Sequence, residues 1–271
     1  MMTSIQLALD DDDLLTASLL VAQKFDADIS LPFYISVIRQ WEQRLRLKID
    51  LRGPVKEQVR ALNQFFFTEL AFAGQPRSLL ASDYALMDQV ILYRNGCAVC
   101  LSILYCHLAR AIGLDVKGVS FPGHFLNRVK VNEQQSLFFD ALTGKQLSWN
   151  QLEQLYRQMS IEEPEMSVSD DVVRPASSRD VLMRLVQNLK AAFIDQDQFQ
   201  QALIASELLV SLNPDDPYER RGRGWVLQQL NCYGGAYADY QYYIRQCPQD
   251  PAAHLLKLQL RSHSLKSEIL H

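Results

Sequence analysis

The sequence predicts an α+β protein that is mostly helical, with a small antiparallel sheet in the middle of the chain and helical hairpins at its end. Three observations support this fold class. Apolar residues recur at helical spacing from Leu14 to about Tyr93. Alternating, β-branched segments follow between Val116 and Asp140. A pattern with a period of 34 residues occupies the C-terminal third.

Composition and charge narrow the class of protein. Hydrophobic residues make up 48% and charged residues 21% of the chain, as in soluble globular proteins. The net charge of −4 gives no bulk electrostatic attraction to nucleic acid or to an anionic membrane. The sequence contains no uncharged apolar stretch of about 18 residues, so no transmembrane helix is predicted. The first residues lack the basic and apolar regions of a secretory signal. Because five cysteines without an export signal indicate reduced thiols, we expect a cytoplasmic protein.

The predicted elements before the repeat include four helices in the N-terminal region and three strands. The helices cover Leu14–Lys24, Leu31–Leu47, Val55–Ala73 and Ala85–Tyr93, and the strands Val116–Ser120, His124–Val131 and Ser136–Asp140. The acidic run Asp10–Asp13 is interpreted as a solvated cap of the first helix, since no other metal-ligating residue converges on it.

A further helix is predicted between Arg94 and Gly113. It opens from a turn and ends at Gly113, because glycine readily takes the left-handed conformation at this position. Helical spacing places six side chains on one face: Cys100, Ile103, Leu104, His107, Leu108 and Ala111. We therefore expect Cys100 to lie in the first turn and to point inward.

The register of the predicted hairpin decides which side chains meet. If the hairpin centres near Glu133, Leu142 lies opposite His124, and Asp140 lies diagonal to His124 on the same face, within reach of a hydrogen bond. A slip of one residue would place the two on opposite faces.

These residues form a candidate catalytic triad of Cys100, His124 and Asp140. In thiol acyl transfer, a helix N-terminus and an imidazolium lower the thiol pKa, the imidazole carries the proton and the carboxylate fixes its tautomer. Each residue also has a structural alternative. Cys100 can be a small core residue, His124 a structural residue at a strand start, and Asp140 a cap of the following turn.

The pair Cys97-x-x-Cys100 is also typical of redox sites at helix starts. Thioredoxin-like folds place such a pair after the entry strand of a βαβ unit, and no strand is predicted before Cys97. A zinc site would need two more ligands, and Cys106 and His107 on the same helix do not complete a tetrahedron with the pair easily. We therefore predict no cofactor and no metal.

The C-terminal repeat has a recognisable period. Asn213-Pro214-Asp215-Asp216-Pro217 recurs 34 residues later as Cys247-Pro248-Gln249-Asp250-Pro251, and Phe199 and Ala202 match Tyr233 and Ala236. This is the period of the tetratricopeptide repeat (TPR), a pair of helices. The small alanines allow close helix approach, and the prolines end the second helix of each unit.

The two repeat units fit the TPR pattern unequally. Gly224 and Tyr240 occupy the small and aromatic positions of the second unit, whereas the first has Lys190 and Ser206 there. Two repeats and a closing helix, about Ala252–Leu265, are too few to bury a core alone. We therefore expect the array to pack on the preceding region; the alternative is an unrelated helical bundle.

Four motifs in the middle of the chain are specific in combination. They are Arg94-x-Gly96-x-Ala98-Val99-Cys100-Leu101-Ser102, Ala109-Arg110-Ala111-Ile112-Gly113-Leu114, Phe121-Pro122-Gly123-His124-Phe125-Leu126-x-Arg128 and Phe139-Asp140-Ala141-x-Thr143-Gly144. Together they resemble the bacterial transglutaminase-like/TPR family of the invasion-regulator B operon type, an uncharacterised protein family that includes enterobacterial YchA. The resemblance covers nearly the whole chain.

The resemblance implies a papain- or transglutaminase-like core with Cys100, His124 and Asp140 at the triad positions. Ordinary transglutaminases have a slightly longer run between the cysteine and the glycine that ends its helix. Thirteen residues lead from Cys100 to Gly113, and sixteen from Cys97. Either cysteine is therefore a candidate nucleophile.

The predicted organisation has four segments: an N-terminal helical region (1–93), a transglutaminase-like core (94–150), a linker region (151–180) and a TPR-like region (181–271). The preferred hypothesis is a protein-interaction or regulatory protein that binds a protein or peptide partner on the TPR surface, with no nucleic-acid or membrane partner. The alternative is a cysteine-dependent peptidase, amidase or transglutaminase. The sequence identifies neither the partner nor the oligomeric state.

Overall fold

The structure is a computed structural model that describes residues 2–74, 81–159 and 167–269. The chain forms two compact units, Met1–Leu185 and Val186–His271. The first combines helices with a small sheet, and the second is helical. The predicted mostly helical α+β class is therefore confirmed.

The first unit opens with five α-helices. They are α1 (Met2–Asp10), α2 (Leu14–Ala22), α3 (Leu31–Lys48), α4 (Val55–Asn63) and α5 (Met87–Tyr93). The predicted helix over 55–73 is wrong in its second half, because the chain continues from α4 as a π-helix, Gln64–Glu69, in which Phe65 and Phe66 are buried. A turn with Ala71 in the left-handed region (φ 57°) then leads away.

The acidic run is only partly the solvated cap that the sequence predicts. Asp13 caps α2, its Oδ1 accepting a hydrogen bond from the backbone N–H of Thr16 at 3.0 Å. Asp12, however, sits in a left-handed conformation (φ 53°) and forms ion pairs with Arg110 at 2.9 Å and Lys117 at 3.7 Å. These pairs connect the α1–α2 turn to the centre of the unit.

An aromatic cluster anchors the central helix, α6 (Ala98–Ala111). The Phe66 ring stacks on Phe72 with centroids 4.5 Å apart and meets the edge of Tyr105 of α6 at 5.5 Å. Trp41 of α3 packs on Phe72 at 5.7 Å, and the Arg94 guanidinium lies 4.1 Å from the Trp41 ring centroid. This cluster fixes α6 against α3 and the π-helix.

The main sheet follows α6 and is antiparallel in the order β3-β4-β5-β6. Its strands are β3 (Val116–Val119), β4 (Leu126–Asn132), β5 (Gln135–Asp140) and β6 (Gln146–Leu147), the last not predicted. Leu126 pairs with Asp140 and Val129 with Leu137. That register centres the hairpin at Glu133, which confirms the predicted centre.

A second, two-stranded sheet lies just before α6. Its strands β1 (Ala73–Gly74) and β2 (Asn95–Gly96) pair in parallel. The expectation that no strand precedes Cys97 is therefore wrong. The strand is only two residues long, which is too short to give a periodic sequence signal.

The segment 151–180 contains more regular and buried structure than its composition suggests. Helix α7 (Trp149–Met159) covers its start. Leu152, Val168 and Val173 join Phe121 and Phe138 in one buried cluster beside the sheet. The apolar residues of this acidic segment thus cover one face of the sheet.

The second unit contains the C-terminal part of α8 (Ser178–Asp195), together with α9 (Phe199–Leu212), α10 (Pro217–Gln229), α11 (Tyr233–Gln246) and α12 (Pro251–Ile269). Helices α9 and α11 each end two residues before a proline, as predicted for TPR units. A Cβ added to Gly224 would lie 2.9 Å from the Tyr240 ring and 3.3 Å from the Ala236 carbonyl oxygen. Only glycine therefore permits this approach of α10 to α11.

Two buried ion pairs join the helices of the second unit. The Lys190 ammonium lies 2.5 Å from Glu219 of α10, a residue only 6% exposed. Arg223 binds both carboxylate oxygens of Asp239 of α11, each at 2.7 Å. The first pair explains the departure of Lys190 from the repeat pattern, because its ammonium neutralises a buried carboxylate.

Candidate functional site at the start of the central helix

The start of α6 is held by backbone hydrogen bonds. Cys97 is the N-cap residue, with extended backbone (φ −72°, ψ 159°). Its N–H donates to the Tyr84 carbonyl at 2.7 Å, and its carbonyl accepts from the N–H of Leu101 at 3.1 Å. A Cβ on the preceding Gly96 would lie 2.8 Å from Val90, so the chain enters the helix close against α5. Cys100 consequently lies in the first turn, as predicted.

Cys100 is completely buried, at 0% exposure. Its thiol donates to the Ala85 carbonyl at 3.5 Å, and the Cys97 thiol donates to the Cys100 sulfur at 3.6 Å. Burial raises the pKa of Cys100 well above its ordinary value, and the neighbouring Cys97 and the charge of Asp88 raise it further. These surroundings stabilise the neutral thiol.

His124 lies in the loop before β4, two residues outside the strand that was predicted to begin with it. The cause is a turn at Pro122-Gly123, in which Gly123 is left-handed (φ 70°) and the N–H of His124 donates to Phe121. The His124 side chain is half-buried. Within the three described ranges it makes no hydrogen bond, so neither Cys100 nor Asp140 is bonded to it.

Asp140 caps the turn that follows β5. Its Oδ1 accepts hydrogen bonds from the N–H of Leu142 at 3.1 Å, and from the N–H and Oγ1 of Thr143, each at 2.8 Å. This is the structural role that the sequence allowed as an alternative. Cys100 and Asp140 thus lie on their predicted elements and His124 lies in the loop before its strand, and the described residues show no hydrogen-bonded chain among the three.

A buried carboxyl group, which sequence reasoning missed, belongs to the surroundings of Cys100. Asp88 of α5 is 2% exposed; its Oδ2 accepts from the Gln89 side chain at 2.6 Å, and its Oδ1 has no hydrogen-bond partner in the described part of the chain. Burial raises the pKa of Asp88. The signal that the sequence offered for a buried aspartate was its position between two apolar residues, Met87 and Val90. The structure shows that both are fully buried.

The other polar groups of α6 face a different part of the unit. Ser102 donates to the Asn127 side-chain oxygen at 2.5 Å, and Cys106 lies 3.9 Å from the same oxygen. His107 is bound to Glu42 at 2.7 Å. Ser102, Cys106 and His107 line a cavity of about 550 Å³. Across the described ranges, no group of three or more histidine, cysteine or acidic side chains is arranged to hold a metal ion.

Comparison with known families agrees with this architecture. A profile described as the Transglutaminase-like superfamily matches residues 33–187, and one described as the Tetratricopeptide repeat matches residues 189–261. The chain belongs to the transglutaminase-like superfamily and, within it, to the UPF0162 family. It therefore combines a transglutaminase-like region with a TPR region, and TPR arrays generally bind other proteins.

Relatives cover most of the chain. A UPF0162 protein of Vibrio cholerae is 31% identical over 214 residues, which is 79% of this chain and 78% of the relative. UPF0162 protein YchA of Escherichia coli is 29% identical over 218 residues, 80% of each chain. Protein SirB1 of Salmonella typhimurium is 29% identical over 215 residues, 79% of each chain. Among the described residues, no helix is long and apolar enough to cross a membrane.

Proposed function

We propose that this protein binds a partner polypeptide through its TPR region, and that its transglutaminase-like core serves as a scaffold. The observation that carries the proposal is the exposure of large aromatic side chains in the TPR helices. Tyr218, Trp225, Tyr233 and Tyr237 are exposed by 53%, 41%, 60% and 48%. Tyrosine and tryptophan are the residues most often responsible for affinity at protein interfaces.

One face of α10 is the best-defined contact surface. Tyr218, Arg221 and Trp225 follow one another at three- and seven-residue spacing, so they lie on one side of the helix. The Arg221 guanidinium lies 5.5 Å from the Tyr218 ring centroid, and Trp225 packs edge-on against Phe199 at 6.0 Å. These contacts hold the side chains in place before binding, which lowers the entropic cost of association.

Removal of the Trp225 indole is expected to weaken partner binding. Partners are captured by cross-linking to the full chain in extracts and identified by mass spectrometry, and their affinity is then measured with purified components. Trp225→Ala is expected to raise the Kd at least about tenfold, the loss typical of an interface anchor. The matched control is Gln200→Ala on exposed α9 surface, which should leave the Kd unchanged. Equal Kd values for Trp225→Ala and the unaltered chain would contradict the proposal.

The second candidate function is thiol acyl transfer by Cys100, or Cys97, with His124 and Asp140. It is favoured by the register that pairs Leu126 with Asp140, because this register brings the His124 loop beside the end of β5. Its test is the rate at which Cys100 reacts with iodoacetamide in the native chain and in His124→Asn. An activated thiolate would react rapidly near neutral pH and lose that reactivity in the variant.

A further inference from the structure

We propose that Cys97 and Cys100 form a dithiol redox centre, which a small-molecule disulfide oxidises to an intramolecular disulfide. The proposal assigns chemistry to the start of α6 that the binding function does not use. It concerns thiol–disulfide exchange and requires neither His124 nor Asp140.

The position of the two sulfurs favours formation of a disulfide. They are 3.6 Å apart, already in contact and joined by an S–H···S hydrogen bond. A disulfide bond is about 2.0 Å long, so the sulfurs must approach by roughly 1.6 Å. Cys97 is the N-cap residue and Cys100 lies in the first turn of the same helix. Movement of the two side chains can therefore supply the approach.

The two thiols have different surroundings. Cys97 keeps 7% of its surface exposed at the helix start, whereas Cys100 has none. The positive end of the helix dipole stabilises a thiolate at the N-cap position. Strand β2 immediately precedes Cys97, and its pairing with β1 fixes the position of the backbone there. These features suit Cys97 to attack an external disulfide and Cys100 to complete the reaction from inside.

The reaction balances in two steps. The Cys97 thiolate, having released its proton to solvent, attacks the external disulfide R–S–S–R; a Cys97–S–S–R bond forms and one thiolate RS⁻ leaves and is protonated by solvent. The Cys100 sulfur then attacks the Cys97 sulfur, which forms the Cys97–Cys100 bond and breaks the Cys97–S–S–R bond. The proton of Cys100 passes to the departing sulfur, which leaves as RSH. The two protein thiols lose two electrons, and R–S–S–R gains them as two RSH.

The test uses the native full-length chain and glutathione buffers of increasing oxidised fraction. After quenching with an alkylating agent in denaturing buffer, which exposes every thiol, trypsin releases the peptide Asn95–Arg110, which contains Cys97, Cys100 and Cys106. In reducing buffer this peptide should carry three alkyl labels. In oxidising buffer it should carry one label, on Cys106, and have lost two hydrogens. Circular dichroism before quenching verifies that the chain is folded.

Variants separate the roles of the groups. Cys106→Ser should keep the disulfide, and Cys97→Ser should abolish it. Three labels at every buffer composition, a disulfide that includes Cys106, or a glutathione adduct that persists on Cys97 would overturn the proposal.

Discussion

Phe66→Ala is expected to lower the free energy of unfolding of the first unit by about 3–5 kcal/mol, the usual cost of truncating a buried aromatic side chain. Phe66 is completely buried and contacts the rings of Phe72, Phe67 and Tyr105 at 4.5, 4.9 and 5.5 Å. The substitution leaves a cavity between the π-helix and α6. Because α6 carries Cys97 and Cys100, both cysteines should also become more accessible in the folded state.

The measurement is urea unfolding followed by the fluorescence of Trp41, which packs on the same cluster. Trp149→Phe and Trp225→Phe remove the emission of the other two tryptophans. The matched variant Phe66→Leu fills most of the volume and should cost no more than about 1.5 kcal/mol. A loss below about 1 kcal/mol in Phe66→Ala would contradict the role given to the cluster.

Asp239→Ala should lower the free energy of unfolding of the second unit by about 2–4 kcal/mol. This loss is somewhat smaller than the loss from breaking a fully buried ion pair, because Arg223 retains partial contact with water. Asp239 is 2% exposed, and both of its oxygens bind Arg223 at 2.7 Å. The substitution leaves the guanidinium between α10 and α11 without its carboxylate. We expect both helices to lose protection against amide hydrogen exchange, while α6 keeps its protection.

Glu207→Ala is the matched control for this prediction. Glu207 is exposed and its charge also acts on Arg223, so the variant removes a similar charge without opening a buried pair. Its cost should stay below about 0.5 kcal/mol. Similar losses in the two variants would mean that long-range charge, and not the buried contact, stabilises this part of the repeat.

The repeat was the part of the fold that the sequence predicted best. Pro214 and Pro248 stop their helices through local backbone sterics, and Gly224 lies where a Cβ would come too close to Tyr240 and Ala236. Such effects depend on residue type at fixed spacing, so a period reveals them. The hairpin centre at Glu133 was predictable for the same reason, since strand alternation fixes a register.

The site was predictable only as a set of positions. Cys100 was expected in the first turn of a helix, pointing inward, and it lies there, but spacing alone does not report its complete burial or the Ala85 carbonyl that binds its thiol. Asp140 illustrates the same limit. An aspartate followed by Ala-Leu-Thr-Gly suits both a triad and a turn cap, and the choice depends on where the His124 loop runs. That path depends on the Pro122-Gly123 turn.

Asp88 and strand β2 lay outside sequence prediction for different reasons. A single carboxyl group on an apolar helix face looks like an interruption of the pattern, and only packing reveals that α5 buries it. Strand β2 comprises only Asn95 and Gly96, and its partner β1 is distant in the sequence. Short parallel pairings of this kind arise from tertiary packing, which local periodicity does not report.

We conclude that the transglutaminase-like core holds Cys100 as a buried neutral thiol. Site-resolved alkylation tests it most directly: the reduced native chain and the urea-unfolded chain are treated with iodoacetamide at neutral pH, and labels on the Asn95–Arg110 peptide are assigned by mass spectrometry. The structure predicts that Cys100 is labelled at least about 100-fold more slowly in the native chain, because labelling requires opening of the fold. Labelling of native Cys100 as fast as in the unfolded chain, with a rate that falls in His124→Asn, would contradict the claim and favour an acyl-transfer enzyme.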